Sequence, residues 1–148
     1  MRFHLSEEQR AIQEALHGAL TAALPRERLQ AFVDGNIDFE PESWRAIMAL
    51  GFGGLILSEE VGGSGLELLD AALAVEALAK GAAPGPLIGQ LVAGIAIAAS
   101  DNAEAKARWL AALASGEAVA TLAFGGAWAP ETWDVEFAEG RATGEVRF

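Results

Sequence analysis

Residues 51–66 read GFGGLILSEEVGGSGL, six glycines in sixteen positions around a short apolar core and an acidic pair. Glycines at this density either cradle a phosphate or punctuate a tight connection between two helices. A dinucleotide fingerprint would need glycines at 51, 53 and 56, but position 56 is Ile. A P-loop would need a lysine, and none lies in the stretch. Both motifs also want a strand before the loop and a helix directly after it. The pattern before Gly51 is helical: Glu40-Pro41-Glu42 opens a segment with proline in the first turn, and Trp44, Ile47 and Met48 give its inner face. Gly51 then falls where a left-handed helix cap is wanted. The stretch therefore reads as a structural connection, with Leu55–Leu57 as a brief buried extended piece and 61–65 as a loop.

Working outward, helices dominate on both sides. Ser6-Glu-Glu-Gln9 has the form of a capping box, and Ile12, Leu16, Ala19, Leu20 and Ala23 recur at helical spacing until Pro25. Residues 26–33 make a short second helix, closed by Asp34-Gly35-Asn36. Beyond the glycine stretch, residues 68–80 form a helix that ends at Gly81. Residues 103–114 form the last one, capped at Ser100-Asp101-Asn102 and stopped by Gly116. Between them lies an uncharged run, GAAPGPLIGQLVAGIAIAAS, from Gly81 to Ser100. Its length suits a bilayer span. Pro84 and Pro86, however, set the helix start near Leu87 and leave a helix of about 14 residues, too short to cross. It reads as a helix buried on all sides, whose small residues Gly89, Ala93, Gly94 and Ala96 leave room for an apolar ligand.

After residue 117 the pattern changes. Ala118–Phe124 is apolar, Trp133–Phe137 alternates, and Ala142–Phe148 sets Thr, Val and Phe among polar residues. These read as strands, the last two joined at Glu139-Gly140. Three strands do not readily cover themselves. The expected fold is thus mainly α: a helical bundle of five to six helices over 1–117. The opening strands of a β-domain follow over 118–148, to be completed by further chain or a partner.

Composition narrows the chemistry. The 148 residues carry a formal charge of −11 and no cysteine. Disulfides, thiol catalysis and zinc–thiolate sites are excluded. No basic stripe exists to attract nucleic acid or an anionic membrane. The N-terminal MRFHLSEEQ lacks a signal-peptide core, which makes the cytoplasm the default expectation. His4 and His17 stand alone, with no carboxylate at metal-ligand spacing. Glu7-Glu8 and Glu59-Glu60 are adjacent pairs whose side chains diverge. Residue chemistry by itself names no catalytic group and no metal site.

The order of elements says more. FHLSEEQ, then PESWRAIMALGFGGLILSEEVGGSGLELLDAALAVEALAKG, then KARWLAALASGEAVATLAF, resembles the acyl-CoA dehydrogenase family over nearly the whole chain. The glycine-stretch spacing is the most specific part of the likeness. The resemblance implies an oxidoreductase of lipid metabolism: an FAD-dependent α,β-dehydrogenation of an acyl-CoA thioester. It implies a helical N-terminal domain, a middle β-barrel and a C-terminal helical bundle, assembled as homo- or hetero-oligomers. By that analogy Leu87, Leu91 and Ile95 wall part of the acyl channel. Phe124, Gly125, Gly126 and Phe148 fall at positions that approach the flavin. Gly125 and Gly126 stand where the family has threonine and glutamate, so only backbone N–H groups are on offer there. The family's catalytic base belongs to the C-terminal domain, so no catalytic residue is expected in this portion, which should neither retain FAD nor catalyse alone. The alternative is a non-catalytic subunit, or a helical assembly module, of a heteromeric complex of this type.

Overall fold

A computed structural model describes residues 4–37, 39–123 and 134–145. Among them are six helices and one hairpin: α1 (Glu7–Ala23), α2 (Arg26–Val33), α3 (Pro41–Ala49), α4 (Leu68–Lys80), α5 (Leu87–Ala99), α6 (Ala103–Ser115), β1 (Asp134–Ala138) and β2 (Arg141–Glu145). Two single-turn 3₁₀ helices, Phe52–Gly54 and Glu59–Val61, lie between α3 and α4. The expected mainly α fold with following strands is what the structure shows.

Local chemistry accounts for the helix ends. At α1 the Ser6 hydroxyl accepts from the Gln9 N–H at 3.1 Å, and the Gln9 side chain accepts from the Ser6 N–H at 3.0 Å. At α3 the Glu40 carboxylate accepts from the Ser43 N–H at 2.7 Å, and at α6 the Asn102 side chain caps Ala105 at 2.9 Å. Gly51 caps α3 at φ 82°, a conformation that costs glycine little and a side-chain-bearing residue more.

Packing follows from the apolar faces. α1 lies against α3 and α4, while α5 lies against α6. One core cluster joins Leu16, Leu20, Trp44, Ile47, Phe52, Ala74, Leu78 and Leu91. Polar ties reinforce it. The Gln9 amide donates to Asp70 at 2.9 Å, the Gln13 amide donates to the Leu73 carbonyl at 3.0 Å, and the Trp44 indole donates to the Gly116 carbonyl at 3.3 Å.

α5, expected from sequence to be buried on all sides, leaves Ile88, Ile95 and Ala96 exposed, the first two on the face beside α4 that the described residues leave uncovered. Two further sequence expectations fail locally. Leu55–Leu57 is not extended: Leu55 sits at φ −46°, ψ −46°, and the Leu55 and Leu57 N–H groups bond three residues back. The run turns because glycine-rich chain returns beside it, with Ser64, Gly65 and Leu66 donating to the carbonyls of Gly54, Leu57 and Leu55. Gly63 makes that approach possible; a Cβ there would lie 2.2 Å from the Leu57 carbonyl oxygen. The second failure is the strand expected over Ala118–Phe124. Residues 118–123 form none; the Ala118 N–H and carbonyl and the Ala120 N–H are taken instead by α6 and by Gln90 of α5, and Phe124 lies outside the described residues.

The other two strands appear as β1 and β2, paired antiparallel with Ala138 opposite Arg141. Trp133 and residues 146–148 lie outside the described residues. Glu139 (φ 51°) and Gly140 (φ 74°) make the two-residue turn, both left-handed as a type I′ hairpin demands. Phe137 is 83% exposed, so the hairpin does not cover its own apolar surface.

Candidate functional site: an apolar groove between α4 and α5

Because α4 packs chiefly on α1 and α5 on α6, a groove is left between α4 and α5. It holds about 270 Å³ and is lined by apolar side chains alone. α4 contributes Leu68, Ala71, Ala72 and Val75; α5 contributes Ile88, Leu91, Val92 and Ile95; Ile56 joins them from the glycine-rich connection. Leu91 is buried and forms floor, whereas Ile88 stands 63% exposed on the rim. No titratable side chain lines the walls. A charged or hydrogen-bonding ligand group would be stranded there, and an alkyl or ring surface would be welcome.

A second hollow of about 260 Å³ continues the track towards the start of α5. Val75 and Ile88 line both. Leu87, Gly89 and Thr121 close its far end. The residues read from sequence as channel wall are therefore split: Leu91 and Ile95 line the first groove and Leu87 the second. The structure also relocates the small residues that make room. Ala71 and Ala72 of α4 provide the space. On α5, Gly94 packs against Leu57 at 3.4–3.8 Å from its would-be Cβ, Ala93 is buried, and Ala96 is exposed, all outside the groove lining. Gly89 lines the second hollow.

One polar residue on α5 was not singled out by sequence reasoning. Gln90 is 0% exposed. Its amide nitrogen donates to the carbonyls of Leu113 and Ala118, each at 2.9 Å, and its oxygen accepts from the Ala120 N–H at 2.8 Å. The available signal was one polar side chain in the otherwise apolar stretch 87–99.

Elsewhere the ion pairs are surface or structural ones. A hollow between α1 and α4 is lined by Gln13, Glu14, His17, Ala77 and Lys80, with His17 exposed. The Lys80 ammonium hydrogen-bonds Glu76 at 2.9 Å and holds its carboxyl below the usual range. Among the described residues no cluster of His, Asp and Glu is arranged to hold a metal, and no helix is long and apolar enough to cross a membrane. Phe124, Gly125, Gly126 and Phe148, read from sequence as flavin-approaching, lie outside the described residues.

The family described as acyl-CoA dehydrogenase, N-terminal domain, matches residues 6–117, which contain all six helices and the groove. The chain belongs to the acyl-CoA dehydrogenase family. It is 31% identical over 121 residues to the acyl-CoA dehydrogenase IpdE2 of Mycolicibacterium smegmatis, covering 81% of this chain and 38% of that protein. It is 30% identical to IpdE2 of Mycobacterium tuberculosis over 117 residues, covering 78% and 36%. The chain thus spans under two-fifths of these relatives. Among solved structures, the Tcur3481-Tcur3483 steroid ACAD G363A variant superposes at a TM-score of 0.72 with 30% identity, covering 79% of this chain and 32% of that one. PigA with FAD and proline superposes at 0.68 with 31% identity, covering 79% and 31%. In family terms the groove belongs to the helical N-terminal layer, and β1–β2 follow that layer in sequence.

Proposed function

We propose that the chain supplies the N-terminal helical layer, residues 1–117, of an FAD-dependent dehydrogenase acting on an acyl-CoA thioester. Residues 118–148 open its β-domain. The observation that carries this reading is the wholly apolar α4–α5 groove, in a chain of this family. Leu91 and Ile95 wall the acyl chain there, and Leu87 continues the wall at the second hollow. Burying each methylene of an acyl chain against such a surface contributes about 0.8 kcal/mol, so a few carbons give useful affinity without any polar contact. The same apolar walls exclude water from the tail.

FAD, when bound, supplies the hydride acceptor for α,β-dehydrogenation. A solved relative is described as PigA with FAD and proline, which supports a flavin in this family. Gly125 and Gly126 offer only backbone N–H groups at the positions assigned to it from sequence. The remaining chain or a partner subunit supplies the catalytic base and completes the flavin site. Assembly with further subunits is part of the same proposal.

The test is spectroscopic. The protein purified together with its remaining chain or partner is expected to be yellow and to lose visible flavin absorbance when acyl-CoA is added without oxygen. The 148-residue portion alone is expected to retain no FAD. A second reading, a non-catalytic assembly subunit, is favoured by the Gly125-Gly126 pair. It would be upheld by a colourless complete protein that also fails to bind acyl-CoA.

A further inference from the structure

Gln90 occupies a junction. It lies on the groove helix, next to the groove-lining Leu91, but its side chain points away from the groove into buried backbone. The three groups it meets leave no choice of chemistry. The carbonyls of Leu113 and Ala118 only accept, and the Ala120 N–H only donates. One side chain must therefore present two donors and one acceptor from a single planar head. A neutral amide does this. A glutamate would set a carboxylate against two carbonyl oxygens, and a leucine would leave one buried and two part-buried backbone groups without this partner. The chain being held is the segment that leaves α6. Its other anchors are the Ala118 N–H on the Ala112 carbonyl at 3.0 Å, and Thr121 lying on Gly89. A Cβ at Gly89 would sit 2.5 Å from the Thr121 hydroxyl oxygen and 3.2 Å from its Cα.

We infer that Gln90 is a positioning residue. It locks the segment 118–121 onto the acyl-groove helix and so fixes the spacing between the acyl chain and the flavin. This inference rests on the proposed function. Phe124, assigned by sequence to the flavin, lies four residues beyond Ala120, at most about 14 Å of extended chain. A displacement of the segment at Ala120 therefore has only this short connection between it and the flavin side.

Two variants and two readouts test it. In Gln90→Met, of similar volume but without the amide, hydrogen exchange at Ala120 is expected to speed up about tenfold or more, while α1 amides keep wild-type protection. In the flavin-loaded protein the same variant is expected to lower kcat about tenfold and shift the visible flavin bands, with KM for acyl-CoA changed less than about twofold. Gly89→Ala leaves Gln90 in place and pushes only on Thr121. It is expected to give the same spectral change even if Gln90→Met does not fold. Wild-type exchange at Ala120 in Gln90→Met overturns the inference. So does faster exchange with unaltered flavin spectrum and kcat, and so does a wild-type flavin spectrum in Gly89→Ala. A wild-type protein that never binds flavin instead removes the proposed function; the exchange result alone then decides whether Gln90 is the lock.

Discussion

Glu40 offers a perturbation whose size changes with pH. Its carboxylate is 1% exposed, caps α3 through the Ser43 N–H at 2.7 Å, and pairs with the Arg28 guanidinium of α2. Arg28 also reaches Glu42, so one cation ties α2 to the first turn of α3. Burial pushes the Glu40 carboxyl up, but the hydrogen bonds from Ser43 and the charge of Arg28 outweigh it and hold the group below its ordinary 4.5. Replacing Glu40 by Gln keeps an acceptor for Ser43 and removes the charge. A charge-assisted hydrogen bond is worth about 1.5–3 kcal/mol and a neutral one about 0.5–1.5, so the bond to Ser43 weakens by about 1 kcal/mol. Arg28 keeps Glu42 and is partly solvated, so no stranded cation adds to the loss. Glu40→Gln should therefore cost about 1–2 kcal/mol at pH 7, a fall of roughly 3–8 °C in Tm. The folded pKa is depressed, so the wild-type advantage is complete above the unfolded value of 4.5. It is lost as pH falls through the folded pKa below that value. Thermal melts of both proteins by circular dichroism, from pH 7 to pH 3, read this directly. A gap that stays constant or widens on acidification refutes the argument, since an electrostatic contribution from this carboxylate must vanish when it is protonated.

Other outcomes follow from packing. Phe52 is 0% exposed in the main core, so Phe52→Ala should cost about 3–5 kcal/mol in urea unfolding. Gly63→Ala places a Cβ 2.2 Å from the Leu57 carbonyl oxygen and 2.5 Å from its carbon, backbone atoms that cannot swing aside. It should cost about 1–3 kcal/mol by the same assay. Gly18→Ala, on exposed α1 with nothing within 4 Å of the new Cβ, should instead stabilise by about 0.5–1 kcal/mol. Ala72→Phe projects a ring into the groove from an exposed helical position. It should change stability by less than about 0.5 kcal/mol and weaken acyl-CoA binding by the complete protein about tenfold, measured by calorimetry.

How far these features could be read from sequence depends on how local their causes are. The six helices were legible because their causes lie within a few residues: a Ser6–Gln9 box, a proline at 41, a glycine at 51, a periodic apolar face. The hairpin turn was legible for the same reason, since Glu139-Gly140 supplies its own left-handed pair. Leu55–Leu57 was misread because three apolar residues carry no period. What bends them is the return of residues 63–66, a contact set by glycines up to ten positions away. The groove lies between these cases. Leu87, Leu91 and Ile95 were nominated by analogy, but the space beside them comes from alanines on a different helix, a relation that neither helix encodes alone. The strand expected over 118–124 fails most instructively. Its apolar composition suits a strand, yet a side chain 30 positions earlier takes the Ala120 N–H that a ladder would need. A single buried amide in an otherwise apolar helix thus bears on the conformation of the segment after α6, because backbone groups shielded from water must find partners and Gln90 meets three of them at once. Composition shows where apolar surface goes. Where it is silent is in matching a lone polar head to the backbone it will satisfy, and in this chain that match joins the groove to the start of the β-domain.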